Sequence, residues 1–559
     1  MKRICVLMCL LLILGMMPTL AQADEIDGEI RVCLLSLGDI SRLGIAIEGE
    51  YSVNENTGMR LESGARLSVV AGEDSLYLIC GAFTMEMGAS FTLTRHGAGG
   101  GLYLEGSPRG LLYQGDLELT LQNGLIIPVL KIGLEDYLVG VVPYEMSDSF
   151  PIEALKAQAI AARTYVLLRR ESRESRGYDV VDTTADQVFM GYDPAAVNAV
   201  DACRETEGMA CMFDGGYGNC YYTASNGGQT LLPGDVWKKR DNGGYTVRRD
   251  DPYDVANGRS VVKTAQINAD GTGLTEEMMA LLMAGAGEQL ASLGYSDDPQ
   301  DCRLHKITGM ELTDPKAEDS RWYSTLRVTY SVQGRPIAEE PEKEETEKTE
   351  KDSPAPASEA EEAEIAYAVG EFETVEGEFV TDIPLYDVVK DGMGLAINGG
   401  DYELFTLIVE EDEEGNAETF TLESRRFGHG VGMSQRGAQE MAGVYGMSCE
   451  EILNFYYPAM TVETHTVGKT GREALPPLDI VQSEILPELE TGEKYGVVRV
   501  AGVSNALNIR SEPTTESEVI AQAVEGQRII VCAEAAEGWY AVRNARFTGY
   551  AAAEYIEVE

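Results

Sequence analysis

Positive charge is scarce in this chain of 559 residues: 44 lysines and arginines stand against 93 aspartates and glutamates, a formal net charge of −49. That balance excludes a general electrostatic grip on nucleic acid or anionic lipid, since both need basic patches. It is otherwise consistent with nothing more than solubility. No C-x-x-C pair occurs, and the cysteines are widely scattered. This argues against a zinc ribbon and against a small disulfide scaffold. Cys5 and Cys9 lie in an apolar N-terminal run. The other eight, Cys33, Cys80, Cys203, Cys211, Cys220, Cys302, Cys449 and Cys532, read mostly as small buried hydrophobes. A bridge within the Cys203, Cys211, Cys220 group stays open. Beyond Leu20 no stretch approaches the roughly 18–20 apolar residues of a membrane span.

The N-terminus has the parts of a secretory signal. Lys2 and Arg3 precede the apolar run Ile4–Leu14, and Ala21-Gln22-Ala23 supplies an A-x-A end. Residues 1–23 therefore read as a leader cleaved after Ala23, with an uncleaved anchor as the alternative. Either way the chain is expected to be exported, to the cell wall or the extracellular space. A hydrophobic content of 44% with 25% charged residues is ordinary for globular protein, and the length allows two to four domains.

Short alternating runs such as Ile30–Leu34 and Arg66–Val70 make residues 26–95 a small β-rich N-terminal domain. The glycine-rich run His96–Gly101 reads as a break. After further strand-like runs, Leu134, Tyr137, Leu138 and Val141 fall on one face of a short helix that Pro143 is expected to end. A loop, Tyr144–Phe150, leads to Pro151, which suits the first turn of a second helix. Leu155, Ala159, Ala162 and Val166 form its apolar stripe, with Lys156 and Arg163 on an adjacent face. Residues 338–365 are so acidic and proline-rich that they read as a disordered insertion. A linker over 466–493 precedes short strands in 495–559, the rhythm of a small β-barrel.

Three stretches carry the chemistry. The first runs Tyr144-Glu145-Met146 into Pro151-Ile152-Glu153-Ala154-Leu155-Lys156-Ala157-Gln158-Ala159-Ile160-Ala161-Ala162-Arg163-Thr164-Tyr165. The second is Tyr221-Tyr222-Thr223-Ala224-Ser225-Asn226-Gly227-Gly228-Gln229-Thr230. The third is Gly428-His429-Gly430-Val431-Gly432-Met433-Ser434-Gln435-Arg436-Gly437-Ala438. Taken singly, each has a plain reading. A loop glutamate is ordinarily solvated, most Ser-Asn-Gly-Gly stretches are turns, and a glycine-rich loop with one histidine is more often structural than catalytic.

Together, and in this order, they resemble the blocks of the stage II sporulation protein D / amidase-enhancer (SpoIID/LytB) family. The resemblance spans residues 100–465, the acidic insertion apart, and includes Tyr456-Tyr457-Pro458 as a closing segment. Residues 495–559, with Leu507-Asn508-Ile509-Arg510 and Gly538-Trp539-Tyr540, look like a bacterial SH3-type wall-binding module. The implied architecture is α+β: a small β-rich domain, a mixed β-rich catalytic domain with an active-site helix (100–337 and 366–465), and an SH3-type barrel. The implied activity is lytic transglycosylase cleavage of peptidoglycan glycan strands, described for sporulation members that thin septal wall during engulfment.

Glu145 matches the family's catalytic glutamate. Lys156, Arg163, Ser225, Gly227, Gly228, Thr230, His429 and Gln435 are the expected substrate-binding residues, and other cell-wall hydrolases are candidate partners. One tension stands out. A general acid needs a raised pKa, whereas a nearby Arg163 and a helix N-terminus would lower it, so Tyr144, Met146 and Phe150 are expected to desolvate Glu145. Some members hold zinc on a His and two Cys after the catalytic helix. Here no Cys or His occurs from Thr164 to Ala202, so no zinc is expected at that place. A metal using Cys203, Cys211 or Cys220 stays open as the lesser alternative, and the reading calls for no metal or cofactor. The rival readings are a non-catalytic amidase enhancer and, last, a purely structural adhesion protein.

Overall fold

The computed structural model describes residues 25–173, 176–238, 243–337, 370–475, 489–500, 506–544 and 547–559. The expected leader, the acidic insertion at 338–365 and residues 476–488 of the linker lie outside that set. The chain forms two compact units, Met1–Glu473 and Ala474–Glu559.

The first unit opens with β1 (Glu25–Ile26), paired in parallel with Thr466–Val467. A ten-stranded sheet follows. Its strands are β2 (Glu29–Cys33), β3 (Arg42–Val53), β4 (Asn56–Leu61), β5 (Arg66–Ala71), β6 (Leu76–Cys80), β7 (Phe83–Glu86), β8 (Ser90–Leu104), β9 (Asp116–Gln122), β10 (Leu125–Gly133) and β11 (Val180–Val181). Their order is β11-β2-β10-β9-β8-β3-β5-β6-β7, with β4 on β3. Alternation along β3 buries Leu43, Ile45 and Ile47 on one face.

The glycine run at 96–101 does not break the chain. It lies inside β8, which pairs with β3 through a register shift between Glu48 and Glu50. The glycines allow the strands to meet where a Cβ on Gly49 would sit 2.8 Å from Gly100 Cα. The expected boundary between 95 and 100 is thus a bulged strand, and residues 26–95 share one sheet and one core with the strands and helices beyond residue 100.

Three helices come next: α1 (Leu134–Val139), α2 (Val142–Glu145) and α3 (Ile152–Arg173). Pro143 stands in the first turn of α2, where a missing N–H costs nothing. α1 already stops at Val139 with Gly140 as its cap, so Pro143 starts a turn rather than ending a helix, and Glu145 closes that turn instead of standing in a loop. The expected stripe of α3 is fully buried, but so are Ala157, Ile160, Ala161, Arg163, Thr164 and Leu167. α3 is the central helix of the first core, and Glu153 at its start and Arg173 at its end suit its dipole.

A second core within this unit gathers Ile267, Leu282, Leu326 and Phe420. Around it lie a three-stranded sheet (Lys263–Asn268, Ala417–Arg425, Leu404–Glu411) and a four-stranded one built on Cys302–Pro315 and Tyr323–Gly334. The chain then returns to the first core through helices Gln435–Gly443 and Cys449–Tyr456, which pack on α3 with Met441, Ile452 and Tyr456. The second unit is a seven-stranded sheet around Ile509, Ile529 and Val542. All eight described cysteines are free thiols, and Cys203, Cys211 and Cys220 are buried without a bridge.

Candidate active site

Glu145 ends α2 with its carboxylate turned inward. It accepts the Val188 N–H at 3.0 Å and side-chain hydrogen bonds from Tyr222 and Gln435. Burial pushes this carboxyl above its ordinary range, and the three donors offset only part of that shift. Each donor is itself held. Gln187 accepts the Tyr137 hydroxyl at 3.0 Å and donates to the Tyr222 oxygen at 3.1 Å and to Ala162 O at 3.3 Å. Gln435 donates to the Gln158 amide oxygen at 3.4 Å.

The tension over Arg163 resolves in the geometry. Arg163 is wholly buried and donates to Glu135 at 2.9 and 2.6 Å and to the carbonyls of Met209 and Cys203 at 3.1 and 3.4 Å. It locks α3 to α1, and among the described residues no cation acts on Glu145. Lys156 pairs with Glu153 at 2.9 Å and Glu205 at 2.6 Å. Lys156 and Arg163, both expected to contact substrate, are thus each committed to ion pairs within the fold. Met146 and Phe150 are buried in the first core, while Tyr144 is half-buried beneath the Arg109 guanidinium, 4.9 Å from its ring.

Beside Glu145 opens a cavity of about 760 Å³. Tyr221, Tyr222, Trp237 and His429 wall one part of it, and Tyr165, Arg169, Arg173 and Asp186 another. Glu145 is not itself a lining residue; Tyr222 belongs to both the wall and the Glu145 network and so links the carboxyl to the cavity. The His429 ring packs against Trp237 with centroids 4.9 Å apart and planes tilted by 58°, and its Nδ1 accepts the Val431 N–H at 3.1 Å. Burial, reinforced by the Arg426 guanidinium, pushes the ring down to about 4, so at neutral pH His429 is an uncharged lining ring.

The Ser-Asn-Gly-Gly block lies behind that wall. Ser225 Oγ donates to Asp254 at 2.8 Å, the Asn226 amide to Asp251 at 2.7 Å, and Thr230 Oγ1 to Val247 O at 2.7 Å. Tyr456 also donates to Asp251, at 2.7 Å. Arg426, fully buried, donates to the carbonyls of Asn226 and Gln229 at 2.8 and 3.0 Å. Gly227 has φ +71°, and a Cβ there would meet Arg426 N at 2.8 Å. Ser225, Gly227, Gly228 and Thr230 thus form a buried brace rather than a ligand surface. Of the expected site residues, the structure brings together Glu145, Gln435 and His429.

Sequence reasoning missed Tyr222, Gln187 and Trp237. Tyr222 stands inside the second motif block, and Gln187-Val188-Phe189 reads in sequence only as the segment beside an absent zinc ligand. Among the described residues no group of three or more His, Cys, Asp and Glu is arranged to hold a metal.

Residues 122–213 match the Stage II sporulation protein (SpoIID) family, and residues 505–557 match the bacterial SH3 domain. The chain is similar to the amidase enhancer of Bacillus subtilis, 26% identical over 337 residues, covering 59% of this chain and 40% of that protein. It is also similar to the stage II sporulation protein D of Bacillus subtilis, 24% identical over 344 residues, covering 59% of this chain and 74% of that protein. An uncharacterized protein of Brachyspira hyodysenteriae is 36% identical over 122 residues, 22% of this chain and 33% of its own length. The chain therefore spans less than half the length of two of these relatives. It carries a SpoIID domain and a bacterial SH3 domain.

Proposed function

We propose that this SpoIID-domain chain is an exported lytic transglycosylase that cleaves peptidoglycan glycan strands after N-acetylmuramic acid. The observation that carries the reading is Glu145 itself, a desolvated carboxyl with no cationic partner, held by three donors beside an aromatic-walled cavity. Such a group retains its proton at higher pH than an exposed glutamate and can serve as general acid. It protonates the glycosidic oxygen as the bond to C1 of the muramic residue breaks. The resulting carboxylate takes the proton of that residue's own 6-hydroxyl, whose oxygen closes on C1. The 1,6-anhydro ring forms without water, so one carboxyl suffices where ordinary glycoside hydrolysis uses two. The SH3 domain would hold the chain on the wall, and a sporulation role follows the name of one relative.

A second reading has its own support: a relative whose match covers 59% of the chain is named an amidase enhancer, and Glu145 is not among the residues that line the cavity. Incubation with purified glycan strands separates the two. Products ending in 1,6-anhydro muramic acid support the enzyme. Unchanged glycan, with stimulation of an added cell-wall amidase, supports the enhancer.

A further inference from the structure

The charge lining the cavity runs against the charge of the whole chain. The chain carries −49, yet among the described residues the charged side chains lining the cavity are Arg169, Arg173 and Asp186, two positive and one negative. The ring of His429 adds none.

The single aspartate is already committed. Asp186 accepts Arg173 at 2.5 Å, the Tyr165 hydroxyl at 3.0 Å and the Val181 N–H at 3.0 Å. Arg169 is left 3.7 Å from that carboxylate, outside hydrogen-bond distance. Its guanidinium lies over the Tyr165 ring at 4.4 Å, its side chain is only 11% exposed, and its Nε has no hydrogen-bond partner among the described residues. The side chains of Tyr165 and Tyr221 accept from it, but phenols are neutral, and the one carboxylate it pairs with, Asp186, is shared with Arg173. A guanidinium this desolvated, fixed on an aromatic platform and facing a cavity, is set to receive an anion, and its planar fork suits a carboxylate.

We propose that Arg169 forms a carboxylate-binding subsite of this cavity and selects sugars that carry an acid group near the ring. The inference rests on reading the cavity as a glycan site. Trp237 and Tyr221, whose rings lie 5.0 Å apart, supply the apolar wall for the sugar, and Arg169 supplies the charge. Two sources present that chemistry on a muramic residue: its lactyl carboxylate, and the carboxylates of an attached stem peptide.

Calorimetric binding to the full chain tests this without turnover, using N-acetylmuramic acid, its methyl ester, N-acetylglucosamine and a muramyl dipeptide as probes. The free acid is expected to bind about tenfold more tightly than the ester, the size of a charge-assisted hydrogen bond. Arg169→Gln should erase that preference while leaving N-acetylglucosamine binding unchanged, and Arg169→Lys should keep part of it. Dipeptide binding tighter than that of the free acid, also lost in Arg169→Gln, would identify the peptide as the source. Equal binding of acid and ester to the unaltered chain overturns the subsite, and that arm needs no variant to fold. So does an Arg169→Gln protein that melts normally and keeps the preference. Absence of anhydro products would instead overturn the reaction and leave the subsite standing.

Discussion

Arg163 illustrates how a side chain in the same motif block as Glu145 can belong to the scaffold. Its guanidinium is spent on Glu135 and two carbonyls inside the core, and its partner lies 28 residues upstream, out of reach of any local pattern. Removing one member of a buried pair leaves an uncompensated charge and costs about 3–5 kcal/mol. Arg163→Ala should therefore lower stability by about that amount in denaturant melts, while glycan cleavage per folded molecule stays close to wild type.

Two buried groups in the same region titrate with opposite sign. Asp251 is pushed from 3.8 up to about 6 by burial and by Asp254. Its contribution to stability is present below about pH 4 and lost as pH rises through about 6. His429 is pushed from 6.5 down to about 4 by burial and by Arg426. Its contribution is present above about pH 6.5 and lost as pH falls through about 4. Each is worth on the order of 3 kcal/mol, and between pH 4 and 6 the two oppose each other. Melts of His429→Gln across that range should show stability falling as pH rises more steeply than in wild type. Parallel curves would mean that the ring is not held neutral as described. Glu145 was legible because a long motif carries it. Tyr222 was not, because a tyrosine preceding a turn-like block has no sequence mark of the carboxyl it meets.

Among the elements, α3 was the most legible, since periodicity and proline placement depend on neighbours along the chain; the turn α2 was not, because Pro143 reads in sequence as a helix end. The β8 bulge was not. Consecutive glycines read as a break, and only pairing with β3 shows that they let two strands approach. The burial of the Ser-Asn-Gly-Gly block was equally hidden, because its partners Asp251, Asp254 and Arg426 lie far apart in sequence. The acidic insertion leaves a clearer mark on its flanks: Gly370 N–H donates to Pro336 O at 3.0 Å, so the two ends lie side by side. A short Gly/Ser bridge in place of residues 338–365 should leave the melting temperature and glycan cleavage nearly unchanged. A fall of many degrees would show that the segment carries structure of its own.

Across the whole molecule, the α+β class and the C-terminal SH3 domain could be read from the sequence, and the boundary near residue 95 could not. A domain edge depends on which cores merge, and here one core runs from Ile26 to Met460. The first unit holds two cores, and residues packed against each, Tyr222 on the first and Trp237 on the second, line the cavity. The SH3 unit has a separate core. What this architecture achieves, on the present account, is to hold a single desolvated carboxyl behind Tyr222 at the edge of a sugar-sized cavity. The most direct measurement is the mass of the products that Glu145→Gln releases from purified glycan strands, beside wild type at equal folded concentration. The account predicts 1,6-anhydro muramic ends from wild type and none from a Glu145→Gln protein that melts normally and still binds wall. Anhydro products from both in similar yield would contradict it.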